Sequence, residues 1–464
     1  MIAGLQPYPE MKDSGVPWLG EVPEHWDVAR NGRLFTQRNE TGISDLPILE
    51  VSLKTGVRVR DFESSSRKQV MSDHDKYKRA RTGDITYNTM RMWQGAVGVA
   101  PIDGLVSPAY VVARPIAGVK SAYFGLVFRL PAYMNEVNRN SRGIVSDRNR
   151  LYWEDFKQIT SPCPPAAEQV AIVRLLEHAD RRIRRYIRTK QKLTNLLDEQ
   201  KHAIIHRAVT RGLDPNVRLK PSGVEWLGDV PEHWEVSRAG TVCSFVSAKA
   251  HEQFVEPDGE HICVTARFVS TGGRSFRRCT ENFSPARRGD VLMVMSDLPR
   301  GRALARAYLV NDDRSYAVNQ RVCILRPIHI NPQFLAFAAN RHPELLAHDD
   351  GFNQTHLPNA AFKIMRLPLP PLVEQEAIAK FLVGTTTALE ALAQRAQREV
   401  DLLQEYRTRL IADVVTGKLD VREAAARLPD DLGEPQPLDE VDQLDEADED
   451  PANDLDAAPE ETEA

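Results

Sequence analysis

SGVPWLGEVPEHW occupies Ser14 to Trp26 and SGVEWLGDVPEHW occupies Ser222 to Trp234, with eleven of thirteen positions identical at an offset of 208 residues. A second echo accompanies the first: PPAAEQVAI (Pro164 to Ile172) returns as PPLVEQEAI (Pro370 to Ile378), at an offset of 206. A unit of about 200 residues is too long for a solenoid repeat of roughly 20–50 residues. The chain therefore reads as two copies of one domain fused in a single polypeptide. Two similar domains predict pseudo-twofold symmetry, which suits a partner that is itself nearly twofold; duplex DNA is the clearest candidate.

Each half has the same order of parts: the phrase ending in EHW, a stretch of short β-type runs, a Pro-Pro pair and a long helical segment. Strand candidates in the first half are Pro47 to Leu53, Asp84 to Asn88, Ala96 to Pro101 and Ala109 to Arg114. In the second half they are His261 to Ala266, Asp290 to Met295, Arg302 to Val310 and Arg321 to Leu325. Turns at Thr82-Gly83-Asp84 and Arg288-Gly289-Asp290 punctuate them. The resulting fold class is α+β, with a β-rich mixed domain in each half.

The helical segments carry a heptad seam. Alternate steps of four and three from Ile172 give Leu176, Ala179, Ile183, Tyr186, Lys190, Leu193, Leu197, Gln200 and Ile204. The same register 206 residues later gives Ile378, Leu382, Thr385, Leu389, Leu392, Ala396, Glu399, Leu403, Tyr406 and Leu410. Eight of ten positions are apolar in each, which is the signature of a coiled coil. Lys190, Gln200, Thr385 and Glu399 interrupt the seam, either fixing its register or lying at its rim with their stems packed. Pro165 and Pro371 suit a first helical turn, Glu168 and Glu374 the positive end of its dipole, and Gly212 and Gly417 a C-terminal cap. Each helix is expected to run about 44 residues, or about 66 Å at 1.5 Å per residue. Pairing in either direction is open in principle; antiparallel pairing satisfies the internal twofold. The competing reading makes each helix a core helix of its own domain, but the narrow seam and the charged face at Arg181, Arg182, Arg184, Arg185 and Arg188 favour helices exposed along most of their length.

The formal net charge of −5 conceals a segregation. Residues 430–464 hold 16 Asp and Glu and no Lys or Arg, which leaves 60 basic against 49 acidic groups in the first 429 residues, a net of +11. A basic body with an acidic, proline-containing tail fits a polyanion binder with a disordered end. No run approaches the roughly 18 apolar residues of a membrane span, and MIAGLQPYPEMK lacks the unbroken apolar stretch of a signal peptide. Five cysteines (Cys163, Cys243, Cys263, Cys279, Cys323), none in a CxxC pair, point to a reduced cytoplasm rather than a zinc site or disulfide frame.

Chemistry-bearing motifs are missing. There is no Walker A sequence, no GxGxxG after a strand and no HExxH. NPQF (Asn331 to Phe334) is the nearest approach to the N-P-P-[YF] of an adenine methyltransferase; it lacks the second proline and any glycine-rich loop upstream.

A WLGxVPxHW-like phrase, a variable β-rich domain, a PPxxEQ hinge and a long helix, all given twice, resemble the specificity subunit of type I restriction–modification systems. The likeness covers roughly residues 10 to 420, and PPAAEQ and PPLVEQ are its most specific parts. The resemblance implies target-recognition domains at 1–163 and 213–369, each reading one half of a bipartite site on double-stranded DNA. It implies conserved helices at 164–212 and 370–417 that act as a ruler and dock modification (methyltransferase) subunits, expected to number two. Restriction subunits with ATP-dependent translocase and nuclease activity would complete the complex. S-adenosylmethionine, ATP and magnesium would then belong to partner subunits, with no cofactor, metal or catalytic residue in this chain. The tail, 430–464, falls outside the family pattern.

Base-edge contacts favour Arg to guanine and Asn or Gln to adenine. NTMRMWQG (Asn88 to Gly95) offers Asn88, Arg91 and Gln94 at a strand end, and SRGIVSDRNR (Ser141 to Arg150) adds Arg142 and Arg148 in a loop. In the second half, SDLPRGR supplies Ser296, Arg300 and Arg302, and GFNQTHL supplies Asn353, Gln354 and His356. Trp18, Trp26, Trp226 and Trp234, with His25 and His233, recur unchanged in both halves and read as packing residues, since readers of different half-sites should differ. Two other function classes stay open: a tandem-domain coiled-coil scaffold indifferent to DNA sequence, and a self-sufficient DNA methyltransferase or endonuclease.

Overall fold

The fold was obtained as a computed structural model, which describes residues 5–43, 45–60, 76–143, 149–298, 303–351 and 353–429. The expected acidic tail at 430–464, with Arg148, Arg300 and Arg302, lies outside the described residues. The chain divides into two compact units, Met1–Thr189 with Val400–Ala464, and Lys190–Glu399. The division cuts both long helices, so each unit is built from one β-rich domain plus a segment of each helix.

In the first unit a four-stranded antiparallel sheet has the spatial order Phe35–Arg38, Tyr110–Pro115, Ile85–Asn88, Val97–Val99. Every residue of Ile85–Asn88 is buried, as a strand covered on both faces requires. The helices Ser121–Val127 and Pro131–Asn140 supply Phe124 and Tyr133 to an aromatic core that also holds Phe35, Phe128 and Phe156. Large side chains fully removed from water contribute about 1.5–3 kcal/mol each.

The second unit repeats this sheet with the order Cys243–Ser247, Val322–Pro327, Val291–Val294, Ala307–Leu309. It then departs from the first. A second four-stranded sheet, Arg277–Cys279, His261–Val264, Tyr316–Val318 and Pro285–Ala286, contains one parallel pairing, Ile262 with Tyr316. In the first unit the comparable sequence forms the hairpin Leu49–Ser52 with Gly56–Val59 and the pair Lys78–Ala80 with Gly104–Val106.

The glycine turns that punctuate both halves do the same work. Gly83 and Gly289 sit at φ 88° and 91°, a conformation that favours glycine. The aspartate after each pairs with an arginine of the same sheet: Asp84 with Arg38, two strands away, at 2.7 Å and Asp290 with Arg326, on the adjacent strand, at 2.8 Å. Both carboxylates are almost fully buried and also accept the backbone N–H three residues earlier, at Arg81 and Arg287.

The long helices run Ala166–Arg211 and Leu372–Val415, 46 and 44 residues. Their pairing is antiparallel, since residue numbers rise on one as they fall on the other. In the first unit Asp180 pairs with Arg407, and Ile172, Leu176 and Ala179 share a core with Leu410 and Val414. In the second, Lys190 meets Glu399 at 2.6 Å and Lys201 meets Glu390 at 3.7 Å. Of the seam positions, Ile172, Leu176, Ile183, Ile378, Leu382 and Leu410 are buried, and Leu197, Ile204, Leu389 and Leu403 half-buried. Leu193 and Leu392 are 42% and 53% exposed. A strict heptad drifts about 20° per repeat around a straight helix, about 60° over the three heptads from Ile172 to Leu193. At that level the seam is held by its smaller and charged members: Ala396 is buried and Lys190 pairs with Glu399 across the helices.

Candidate nucleic-acid interface

The hinge motifs explain how each long helix is fixed to its domain. Glu168, in the first turn of the first helix, accepts from the His25 ring at 2.9 Å, from the indole N–H of Trp26 at 3.0 Å and from the hydroxyl of Tyr8. Burial, then the bond to Glu168, pushes the Tyr8 hydroxyl pKa far up, so it stays a donor. Glu374 repeats the arrangement with His233 at 2.8 Å and Trp234 at 3.1 Å. Trp26 and Trp234 are fully buried. The following glutamines close the hinge: Gln169 donates to Pro164 O and accepts from Lys120 N, and Gln375 donates to Pro370 O and accepts from Asn331 N, at 2.8–2.9 Å. The EHW box and the PPxxEQ hinge are thus two halves of one joint, and the recurrence of both at nearly one offset was the sequence signal for it.

None of the described candidate readers takes part in this joint. In the first unit Asn88 ends the strand Ile85–Asn88 and is buried, its Oδ1 accepting from Met90 N at 2.9 Å. It builds the turn that follows. Met92–Gln94 then form a single 3-10 turn closed by Gly95 at φ 94°, which leaves Gln94 exposed and Arg91 half-buried. Beside it, Arg142 and Arg150 exchange two backbone hydrogen bonds of 2.9 Å, and the Arg142 side chain reaches Asp155 at 2.6 Å while staying 73% exposed. Leu151 N donates to Thr89 O at 2.9 Å, which docks this loop against the Asn88–Gly95 turn. Arg91, Gln94 and Arg142 are therefore brought together.

The second unit repeats the framework with different side chains. Leu357 N donates to Met295 O at 2.8 Å, the same bond 206 residues on. Ser296 pairs with His356 and Asp297 with Thr355 in a short antiparallel ladder. Ser296 is buried and its Oγ accepts from Gln354 Nε2 at 3.2 Å, whereas Gln354 and His356 are exposed. Asn353 is also exposed but folded onto Asp350, through both its backbone and its side-chain nitrogen at 2.9 Å. Carboxylates crowd this edge: Asp349 accepts from Thr355, and Asp297 accepts from Ala303 N and Leu304 N. The second edge thus carries aspartates where the first carries arginines. Asp297 was not singled out from the sequence; only the position-by-position offset between the halves could have found it.

NPQF has a local structural use. Asn331 caps the helix Pro332–Ala339, its Oδ1 accepting from Phe334 N at 3.0 Å. Among the described residues no helix is long and apolar enough to cross a membrane.

Comparison with known proteins agrees with the motif resemblance. Residues 231–398 match the family model described as the type I restriction modification DNA specificity domain. The chain is 24% identical over 285 residues to the type I restriction enzyme MjaVIII specificity subunit of Methanocaldococcus jannaschii, a match covering 58% of this chain and 64% of that one. It is 20% identical over 453 residues to the putative MjaX specificity subunit of the same organism, covering 87% and 96%. Two solved structures share the fold. One chain belongs to work on complex assembly and conformational transition of the type I R-M system (TM-score 0.66, 16% identity, 85% of this chain and 98% of that one). The other is the HsdS subunit from Thermoanaerobacter tengcongensis (TM-score 0.51, 18% identity, 86% and 98%).

Proposed function

We propose that this chain, a specificity subunit of the type I restriction–modification kind, serves as the DNA-reading part of a larger complex and recognises a bipartite site with one half-site per β-rich domain. The observation that carries the reading is the duplicated scaffold with unduplicated side chains. The bonds Leu151 N to Thr89 O and Leu357 N to Met295 O hold equivalent loops in equivalent places. On that common frame one unit presents Arg91, Gln94 and Arg142, and the other Gln354, His356 and a rim of aspartates.

The paired helices set the number of base pairs between the half-sites and dock two modification subunits, with restriction subunits joining them. The chain itself is non-catalytic and works in the cytoplasm; methyl transfer from S-adenosylmethionine and ATP- and magnesium-dependent cleavage belong to those partners. Mapping methylated bases in the host genome with and without the chain tests this. Loss of methylation at one split motif supports the reading. Methylation that persists unchanged refutes it in favour of a scaffold, and S-adenosylmethionine binding by the isolated chain would point to a self-sufficient enzyme. Duplex titration over a range of salt adds a physical readout, because phosphate contacts make log K fall steeply with log salt.

A further inference from the structure

The first long helix carries RRIRRYIR from Arg181 to Arg188, and the seam uses only part of it. Arg174, His178, Arg181, Arg182 and Arg185 stand at i, i+4, i+7, i+8 and i+11, so they share one face of the helix. Arg182 and Arg185 are exposed. Arg184, off this face, is occupied by Asp180 at 2.8 Å. The ring of His178 is held below its usual pKa by burial and by the charges of Arg182 and Arg181, as a concentrated positive field requires.

One end of this face holds the last described residues. Arg174 Nη2 donates to the carbonyls of Leu428 and Pro429, at 2.9 and 3.0 Å. The acidic segment 430–464 is thus rooted beside the stripe. Its densest part, Asp439 to Asp450, has eight carboxylates in twelve residues. Coil statistics of about 5–6 Å × √n give a span of 10 to 21 residues an r.m.s. reach of about 17–25 Å. From Arg174 to Arg185 the helix covers about 16 Å. Charge and reach therefore match.

We propose that the acidic segment folds back in cis on this arginine face of the first long helix, its carboxylates covering Arg181, Arg182 and Arg185. A single exposed ion pair is weak. Tethering supplies an effective concentration of about the millimolar range, so a contact too weak to survive between molecules is substantially occupied within one. It is also screened by salt and displaceable by another polyanion. Where the chain reads DNA as proposed above, the segment competes with phosphates for this face; that consequence rests on the reading, and the contact itself does not.

The test needs no nucleic acid. No lysine lies between Ala166 and Thr189, so Arg182→Lys with Arg185→Lys in the full chain keeps the charge and introduces the only amines on that stretch. Zero-length carbodiimide coupling followed by peptide mass spectrometry should join these positions to Asp439–Asp450, with a yield independent of protein concentration and at least fivefold lower in 0.5 M than in 0.05 M NaCl. Coupling that spreads evenly over the chain's other lysines, occurs only between molecules, or is absent at both positions overturns the proposal.

Discussion

At the scale of single residues, the two hinge glutamates separate structure from recognition. Glu168 is nearly fully buried and satisfies three donors, whereas Glu374 is 30% exposed and satisfies two. Removing an acceptor strands buried donors at about 1–3 kcal/mol each. Glu168→Ala should therefore cost about 3 kcal/mol and Glu374→Ala about half as much, as read from urea unfolding followed by tryptophan fluorescence. Equal losses would contradict the difference in burial. His342 gives a pH dependence of fixed sign. Its ring sits edge-on to Trp226 at 4.6 Å, Nε2 donates to Arg366 O and Nδ1 accepts from Glu344 N, an arrangement only the neutral ring can make. Burial holds its pKa below the ordinary 6.5. Below pH 6.5 the unfolded chain takes up a proton that the folded one refuses, so this stability is whole above 6.5 and declines as pH falls through it. Comparing urea midpoints at pH 7.5 and 5.5 should show a drop that His342→Gln reduces. The tryptophan and histidine repeats were legible as packing groups because they do not vary between halves. The aspartates of the Gly83 and Gly289 turns were seen only as punctuation, since their arginine partners lie 46 and 36 residues away in sequence.

At the scale of elements, the heptads exposed the long helices because their pattern is local. The expected antiparallel pairing is present, and the reading of each as a private core helix is set aside. Two of the seam's interruptions, Lys190 and Glu399, find each other across the helices. Lys190 draws the Glu399 carboxyl below its usual pKa. Both side chains are about a third exposed, so the pair sets register more than stability. Lys190→Glu should lower stability, and adding Glu399→Lys should recover most of the loss. A double-mutant cycle at 0.05 and 1 M NaCl checks this, with the coupling vanishing at high salt; a coupling insensitive to salt would rule out an electrostatic origin. The strands were less legible. Expected runs such as Asp84 to Asn88 and Asp290 to Met295 appear, trimmed to Ile85–Asn88 and Val291–Val294. The mixed sheet of the second unit was not foreseen, because strands of two to four residues leave little periodicity and Ile262 finds Tyr316 across 54 residues.

At the scale of the whole molecule, duplication was readable from two short phrases, whereas the sharing of each long helix between two units was not, since sequence order places each helix after one domain alone. That sharing makes helix length a variable of recognition under the proposed function. Seven residues inserted in each helix, after Thr189 and after Glu399, preserve the heptad phase and add about 10.5 Å, or about three base pairs at 3.4 Å. Three base pairs also carry the second half-site about a third of a turn around the duplex, so neither the old nor the lengthened site should be read well, and methylation should fall at least tenfold. Twenty-one residues in each helix add about 32 Å, close to one duplex turn of about 10–10.5 base pairs. That variant should regain activity on a site with the same half-sites and a spacer longer by about nine or ten base pairs. Sequencing of methylated products from a library with randomised spacer lengths measures both. Half-sites that change with the insertion, or a spacer preference that stays where it was, would show that the paired helices do not set the distance.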